Sequence, residues 1–123
     1  MKRPITVTLL SVLFVLIGIA NTFKAIWPLA GGPSANITGH ELMDSSFVFI
    51  SAVLALLGGV LMFRGSNSGR WLVLIWMALH VLLSIFHKPV ELAIHSLMLV
   101  ILIVLLLFGS GGRYFKAVAA RNH

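Results

Sequence analysis

Cysteine is absent from this chain of 123 residues. That absence excludes disulfides, thiolate nucleophiles and cysteine-ligated zinc or iron–sulfur centres. Charged residues are also scarce, at 10% of the chain against about 25% in ordinary soluble domains, whereas 59% of the residues are hydrophobic. The composition therefore indicates a membrane protein of one small domain, with no room for a separate soluble catalytic domain.

Acidic residues are the rarest charged type: three stand against nine lysines and arginines, which leaves a net charge of +6. The basic residues are spread between apolar runs and form no continuous basic helix, so we expect no nucleic-acid partner. They indicate topology instead, because short loops rich in Lys and Arg stay in the cytoplasm. Most cations fall on one side of the predicted spans, namely Lys2, Arg3, Arg64, Arg70, Arg113, Lys116 and Arg121. We therefore expect both termini to be cytoplasmic in a multi-pass membrane protein.

Long apolar runs are what the chain has in abundance. Each is close to the ~20 residues that a helix needs to cross a bilayer. None shows the alternation of a membrane β-barrel, so helices are expected throughout. The predicted helices cover about 5–27, 45–63, 71–87 and 89–108, with an outer loop at 28–44 and a cytoplasmic tail at 109–123. The sequence thus predicts an all-α fold, an integral membrane four-helix bundle that forms a single domain over residues 1–123.

A stripe of polar side chains interrupts the third and fourth apolar runs. His80, Ser84 and His87 share one helical face, and Glu91 and His95 continue the stripe on the next run. If the two helices form an antiparallel hairpin, His80 and His95 lie at the same depth, roughly 10 Å below one membrane surface. Ionisable groups at that depth are interpreted as a functional site.

Two kinds of ligand site suit this stripe. Neutral imidazoles ligate iron, copper and zinc, and facing helices can present opposed nitrogens, so His80, His95 and Ser84 form a candidate site for haem b or a quinone. With His87 and Glu91 added, the same histidines form a candidate metal site. The structural alternative is that the histidines only form hydrogen bonds between helices.

A proton relay is a further hypothesis. Glu91 is the only acid inside a predicted span, and a pairing of Glu91 with His87 or Lys24 would carry protons between the outer surface and the two deeper histidines. The alternatives are that Glu91 stabilises the start of its helix and that Lys24 extends its ammonium group to the membrane surface.

Three stretches of the chain resemble the DoxX-like family of small bacterial four-helix membrane proteins. Residues 16–24 (LIGIANTFK) are similar to the family's first helix, in which a glycine is followed by a lysine. Residues 57–65 (LGGVLMFRG) resemble its glycine-rich helix and basic turn, and residues 107–114 (LFGSGGRY) resemble its closing G-x-G-R-Y signature. The resemblance implies a membrane component of redox systems, a class that includes subunits of thiosulfate:quinone oxidoreductase.

From these observations we expect a subunit of a redox-linked membrane complex, associated with quinone or haem, and not a complete enzyme. The alternative is a non-catalytic accessory or assembly subunit that packs against a larger membrane protein complex. The expected partners are membrane lipid and either such a complex or further copies of the chain. A small multidrug exporter is disfavoured, because proton-coupled export needs a carboxylate deep in the membrane and the first predicted helix has none.

Overall fold

The computed structural model describes residues 2–27, 30 and 38–121, and no strand occurs in those ranges. The helices, in chain order, are α1 (Ile5–Ile26), α2 (Gly39–Phe63), α3 (Asn67–Ser84), α4 (Pro89–Leu107) and α5 (Gly109–Arg121). The predicted all-α class is therefore confirmed. Most of the predicted loop at 28–44 lies outside the described residues.

Three of these helices, α1, α2 and α4, are long and apolar enough to cross a membrane. Large apolar side chains are exposed along all three, which suits a lipid solvent. The 18-residue helix α3 is less apolar, because Asn67 and Arg70 lie in its first turns and His80 lies near its end.

Close contacts at glycine hold α2 between α1 and α3. A Cβ added at Gly59 would lie 2.9 Å from the carbonyl oxygen of Ser11 in α1, and one added at Gly69 would lie 2.5 Å from the backbone nitrogen of Met62 in α2. Small residues at such positions let helix backbones approach closely, which matters in lipid because no hydrophobic force drives helices together there. Helix α4 then packs on α3, so α2 and α3 form the centre of the assembly.

The buried core lies toward one end of the assembly. Val7, Met62, Leu106 and Phe115 have no exposed surface, and they come from α1, α2, α4 and α5. We call this the α5 end. The opposite end, where α3 finishes and α4 begins, is called the histidine end.

Two arginines join helix termini at the α5 end. Arg3 donates from Nη1 to the carbonyl of Phe63, the last residue of α2, and Arg70 donates from Nη1 to the carbonyl of Leu106 at 3.3 Å. The final carbonyls of a helix have no partner within the helix, so each guanidinium satisfies an acceptor that lipid cannot.

Helix α2 begins at Gly39, six residues before its predicted start. Thr38 precedes it with a reciprocal cap: its hydroxyl accepts from the Glu41 nitrogen at 3.2 Å, and the Glu41 carboxylate accepts from the Thr38 nitrogen at 2.9 Å. Apolarity alone does not reveal this extension, because the added turn carries polar side chains and is stabilised by its cap.

The other boundaries differ from the prediction at α3 and at the predicted tail. Helix α3 covers Asn67–Ser84 in place of 71–87. Its end comes earlier than predicted because the chain is already extended at Lys88, before Pro89. The predicted tail at 109–123 contains the helix α5, so a fifth helix joins the four that were expected. The apolar pattern of the sequence does not predict α5, because this helix has few apolar residues and depends on packing against the rest of the molecule.

Candidate functional site

The α3–α4 hairpin brings the two predicted histidines together. Helix α3 ends at Ser84, and α4 begins with Pro89 at its first position, where the missing N–H costs no hydrogen bond. The ring centroids of His80 and His95 lie 5.7 Å apart with an interplanar angle of 63°. Both side chains are half-buried.

His80 is held on both sides by atoms of the protein. Its Nδ1 lies 3.0 Å from the carbonyl oxygen of Trp76, which can only accept, so the neutral ring carries its proton on Nδ1. Its Nε2 lies 3.2 Å from the hydroxyl of Ser51 in α2, and that hydroxyl in turn accepts from Trp76 Nε1 at 2.8 Å. Ser51 must therefore donate to His80, and every hydrogen-bonding atom of the His80 ring has a partner.

Ser84 connects His80 to His95. Its hydroxyl donates to the carbonyl oxygen of His80 at 2.6 Å and lies 2.6 Å from His95 Nδ1. A hydroxyl has one proton to donate, so His95 Nδ1 must be the donor in the second contact. The proton of neutral His95 then sits on Nδ1, and its Nε2 has an unshared electron pair with no hydrogen-bond partner among the residues described.

The structure does not bring the four residues of the predicted metal site together. Among residues 2–27, 30 and 38–121, no group of three or more His, Asp or Glu side chains is placed to hold a metal ion. His87 lies in the turn after α3, where its Nδ1 donates to the carbonyl of Leu83 at 2.8 Å. The helix ends before His87, so the helical phase that related this residue to His80 is lost.

The proposed relay partners are not paired either. Glu91, His87 and Lys24 are exposed, and Glu91 forms no ion pair with His87 or Lys24 in the described part of the chain. On the exposed surface of α2, His40 Nδ1 lies 3.1 Å from a carboxylate oxygen of Asp44.

Haem does not fit this arrangement. Iron ligation by His80 would break its hydrogen bond to Ser51 or to the Trp76 carbonyl. Ligation by His95 would have to use Nε2, because Nδ1 faces the hydroxyl of Ser84. The hydrogen bonds therefore favour a ligand that needs one imidazole nitrogen over a haem that needs one from each histidine.

Two residues of the network were missed by the sequence reasoning. Ser51 is a polar residue midway along an apolar span, which is the signal that was available. Trp76 packs against α1, where its ring meets that of Phe14 with centroids 5.4 Å apart. It also lies one helical turn before His80, with ring centroids 4.3 Å apart, so it both packs and donates to Ser51.

Comparison with known proteins gives no match to a family model, to a curated protein or to a solved structure. The resemblance to the DoxX-like family stays a prediction. Function is therefore inferred from the hydrogen-bond network that joins Trp76, Ser51, His80, Ser84 and His95.

Proposed function

We propose that this chain is a small multi-pass membrane subunit of a redox-linked complex and that it binds a quinone headgroup at His95. One observation carries the proposal: Ser84 fixes the proton of His95 on Nδ1, which leaves Nε2 as the acceptor that no residue of the described chain uses. The backbone carbonyl of His80 positions Ser84, whereas the His80 ring, with both nitrogens occupied, does not contact the ligand.

The membrane topology in this proposal has four spans, α1 to α4. Helix α3 has 18 residues, so it is about 27 Å long at 1.5 Å per residue, close to the thickness of the hydrocarbon core. Four spans return both termini to the same side. The cations at the α5 end favour the cytoplasm for that side, as in a DoxX-like protein of a bacterial inner membrane.

His95 suits both forms of a quinone. Neutral His95 accepts a hydrogen bond at Nε2 from a quinol hydroxyl, and after taking up a proton it donates from Nε2 to a quinone carbonyl. In this proposal the chain binds the ring and accepts a proton, and electron transfer takes place in the partner complex. The exposed Glu91, His87 and Lys24 are the groups that would exchange that proton with water at the same end.

The test is quinone binding by two histidine variants in mild detergent, followed through quenching of tryptophan fluorescence by a short-chain ubiquinone. We expect His95→Leu, which removes the Nε2 acceptor, to bind about tenfold more weakly, which corresponds to about 1.4 kcal/mol for one strong hydrogen bond. His87→Leu is the matched control and should bind like the wild type, because His87 lies in the exposed turn after α3, where its Nδ1 bonds to the carbonyl of Leu83. Equal affinities for both variants, or no binding by the wild type, would refute a site at His95.

An absorption spectrum of the oxidised and reduced protein separates quinone from haem. We expect no Soret band in the wild type. A band that shifts on reduction and disappears in both His80→Ala and His95→Ala would replace the quinone proposal with a bis-histidine haem site.

A second candidate function, an accessory or assembly subunit, is favoured by the surface of α4. This helix packs on α3 along one side, and its other side exposes an apolar stripe at Val90, Ile94, Leu97, Ile101, Val104 and Phe108. A photo-cross-linker at Leu97 would capture a partner subunit in native membranes, whereas one at Phe23, exposed on α1, is the control. Cross-links to lipid alone at both positions would exclude a partner on this face.

A further inference from the structure

The helix α5 has two chemically different faces. Gly111, Gly112, Tyr114 and Phe115 are buried against the ends of the other helices. Arg113, Lys116 and Arg121 are exposed. An amphipathic helix of this kind, with cations on its polar face, is typical of a segment that lies at a membrane surface.

The connection to α4 and contacts with α3 and α1 fix the direction in which the cationic face points. Gly109 turns the chain between α4 and α5 with φ +64°, a left-handed conformation that glycine adopts without strain. The guanidinium of Arg70 lies 5.3 Å from the ring centroid of Phe115, and the hydroxyls of Ser110 and Thr6 are 3.5 Å apart. Helix α5 is thus held under the ends of α3 and α1, and its cations point away from the core.

No carboxylate neutralises these cations within the described chain. Glu41 and Asp44 lie in the first turns of α2, and Glu91 lies in the first turn of α4, all at the histidine end. Two further exposed cations, Lys2 and Arg64, lie at the α5 end, before α1 and directly after α2.

We infer that α5, together with Lys2 and Arg64, forms a surface that binds anionic phospholipid headgroups. Charge complementarity identifies the occupant, because five exposed cations with no acidic neighbour are placed where helices of membrane length end. The phosphate and glycerol of phosphatidylglycerol supply both the negative charge and the hydrogen-bond acceptors that arginine and lysine need. This inference does not depend on the quinone proposal.

Native mass spectrometry tests this inference. The detergent-solubilised protein is mixed with equal amounts of phosphatidylglycerol and phosphatidylcholine, and the lipids that stay bound are identified. Each cation near an anionic lipid surface raises the affinity of a protein for that surface about fivefold. We therefore expect the wild type to retain phosphatidylglycerol preferentially, and the triple variant Arg113→Gln, Lys116→Gln, Arg121→Gln to lose most of that preference. The double variant Lys24→Gln, Lys88→Gln removes exposed cations at the histidine end and should keep the preference.

Circular dichroism of the triple variant shows whether α5 still folds. If its helix content falls, the single variant Lys116→Gln, at an exposed position, replaces it and should lower the preference about fivefold. An unchanged preference in a folded variant, or equal loss in the Lys24 and Lys88 variant, would overturn the inference. Full competition by millimolar inorganic phosphate would also overturn it, because the surface would then be a site for free anions.

Discussion

The two ends of this molecule are held together by different kinds of contact. At the α5 end, fully buried apolar side chains such as Met62, Leu106 and Phe115 meet, and arginines satisfy the last carbonyls of α2 and α4. At the histidine end, α3 and α4 are joined by a hydrogen bond between the buried Ser84 and the half-buried His95.

The difference shows how a small helical protein can separate stability from chemistry. Close packing at glycines and apolar side chains stabilises the α5 end without using any group that can bind a ligand. The histidine end uses hydrogen bonds, which are worth only about 0.6 kcal/mol each between membrane helices, and so leaves a ring nitrogen of His95 available. We expect substitutions at the α5 end to change stability more than those at the histidine end.

The largest effect is expected from closing the helix contact at Gly59. A leucine there would force its side chain into the backbone of α1 at Ser11 and Val15, each 2.9 Å from the added Cβ. Gly59→Leu should lower the free energy of unfolding in detergent by about 3 kcal/mol. Gly39→Leu is the matched control, because nothing lies within 4 Å of a Cβ at Gly39. Equal stability of the two variants would contradict the close approach of α1 and α2.

A smaller effect is expected from Arg70→Met, which keeps an apolar stem and removes the guanidinium. The carbonyl of Leu106 loses its donor, and the rings of Trp71 and Phe115 lose a cation whose centre lies 5.1 and 5.3 Å from their centroids. We expect a loss of about 1.5 kcal/mol of stability and faster cleavage by trypsin in α5. Arg64→Met, which removes an exposed cation, is the control and should change neither the stability nor the rate of cleavage. Cleavage of α5 at the wild-type rate in Arg70→Met would show that Arg70 does not hold this helix.

The smallest effect on stability is expected at the histidine end. Ser51→Ala removes the hydroxyl that accepts from Trp76 and donates to His80, and should cost about 1 kcal/mol for the two bonds. Ser46→Ala, on the same helix, removes a hydroxyl that bonds only to the carbonyl of Leu42 and should cost less. The midpoints of thermal unfolding compare them, and a larger loss in Ser46→Ala would mean that the network does not join α2 to α3.

Much of the fold follows from local sequence. Apolar runs of sufficient length predict helices, and Pro89 marks the start of α4, because these signals depend only on residues close together in the chain. The meeting of His80 and His95 follows in the same way, since both lie at similar distances from one turn. The position of His87 does not follow in this way, because α3 ends at Ser84 and the chain is extended at Lys88, before Pro89.

By itself, then, the sequence determined an all-helical chain, helices long and apolar enough to cross a membrane, and the approach of two histidines across a hairpin. Only the tertiary structure decided that Ser51 reaches His80, that the proton of each ring sits on Nδ1, and that α5 packs beneath the other helices. The physical reason is that these features depend on the rotation and register of one helix against another. Packing between residues far apart in the chain sets that rotation, so it cannot be predicted from the periodicity of a single helix.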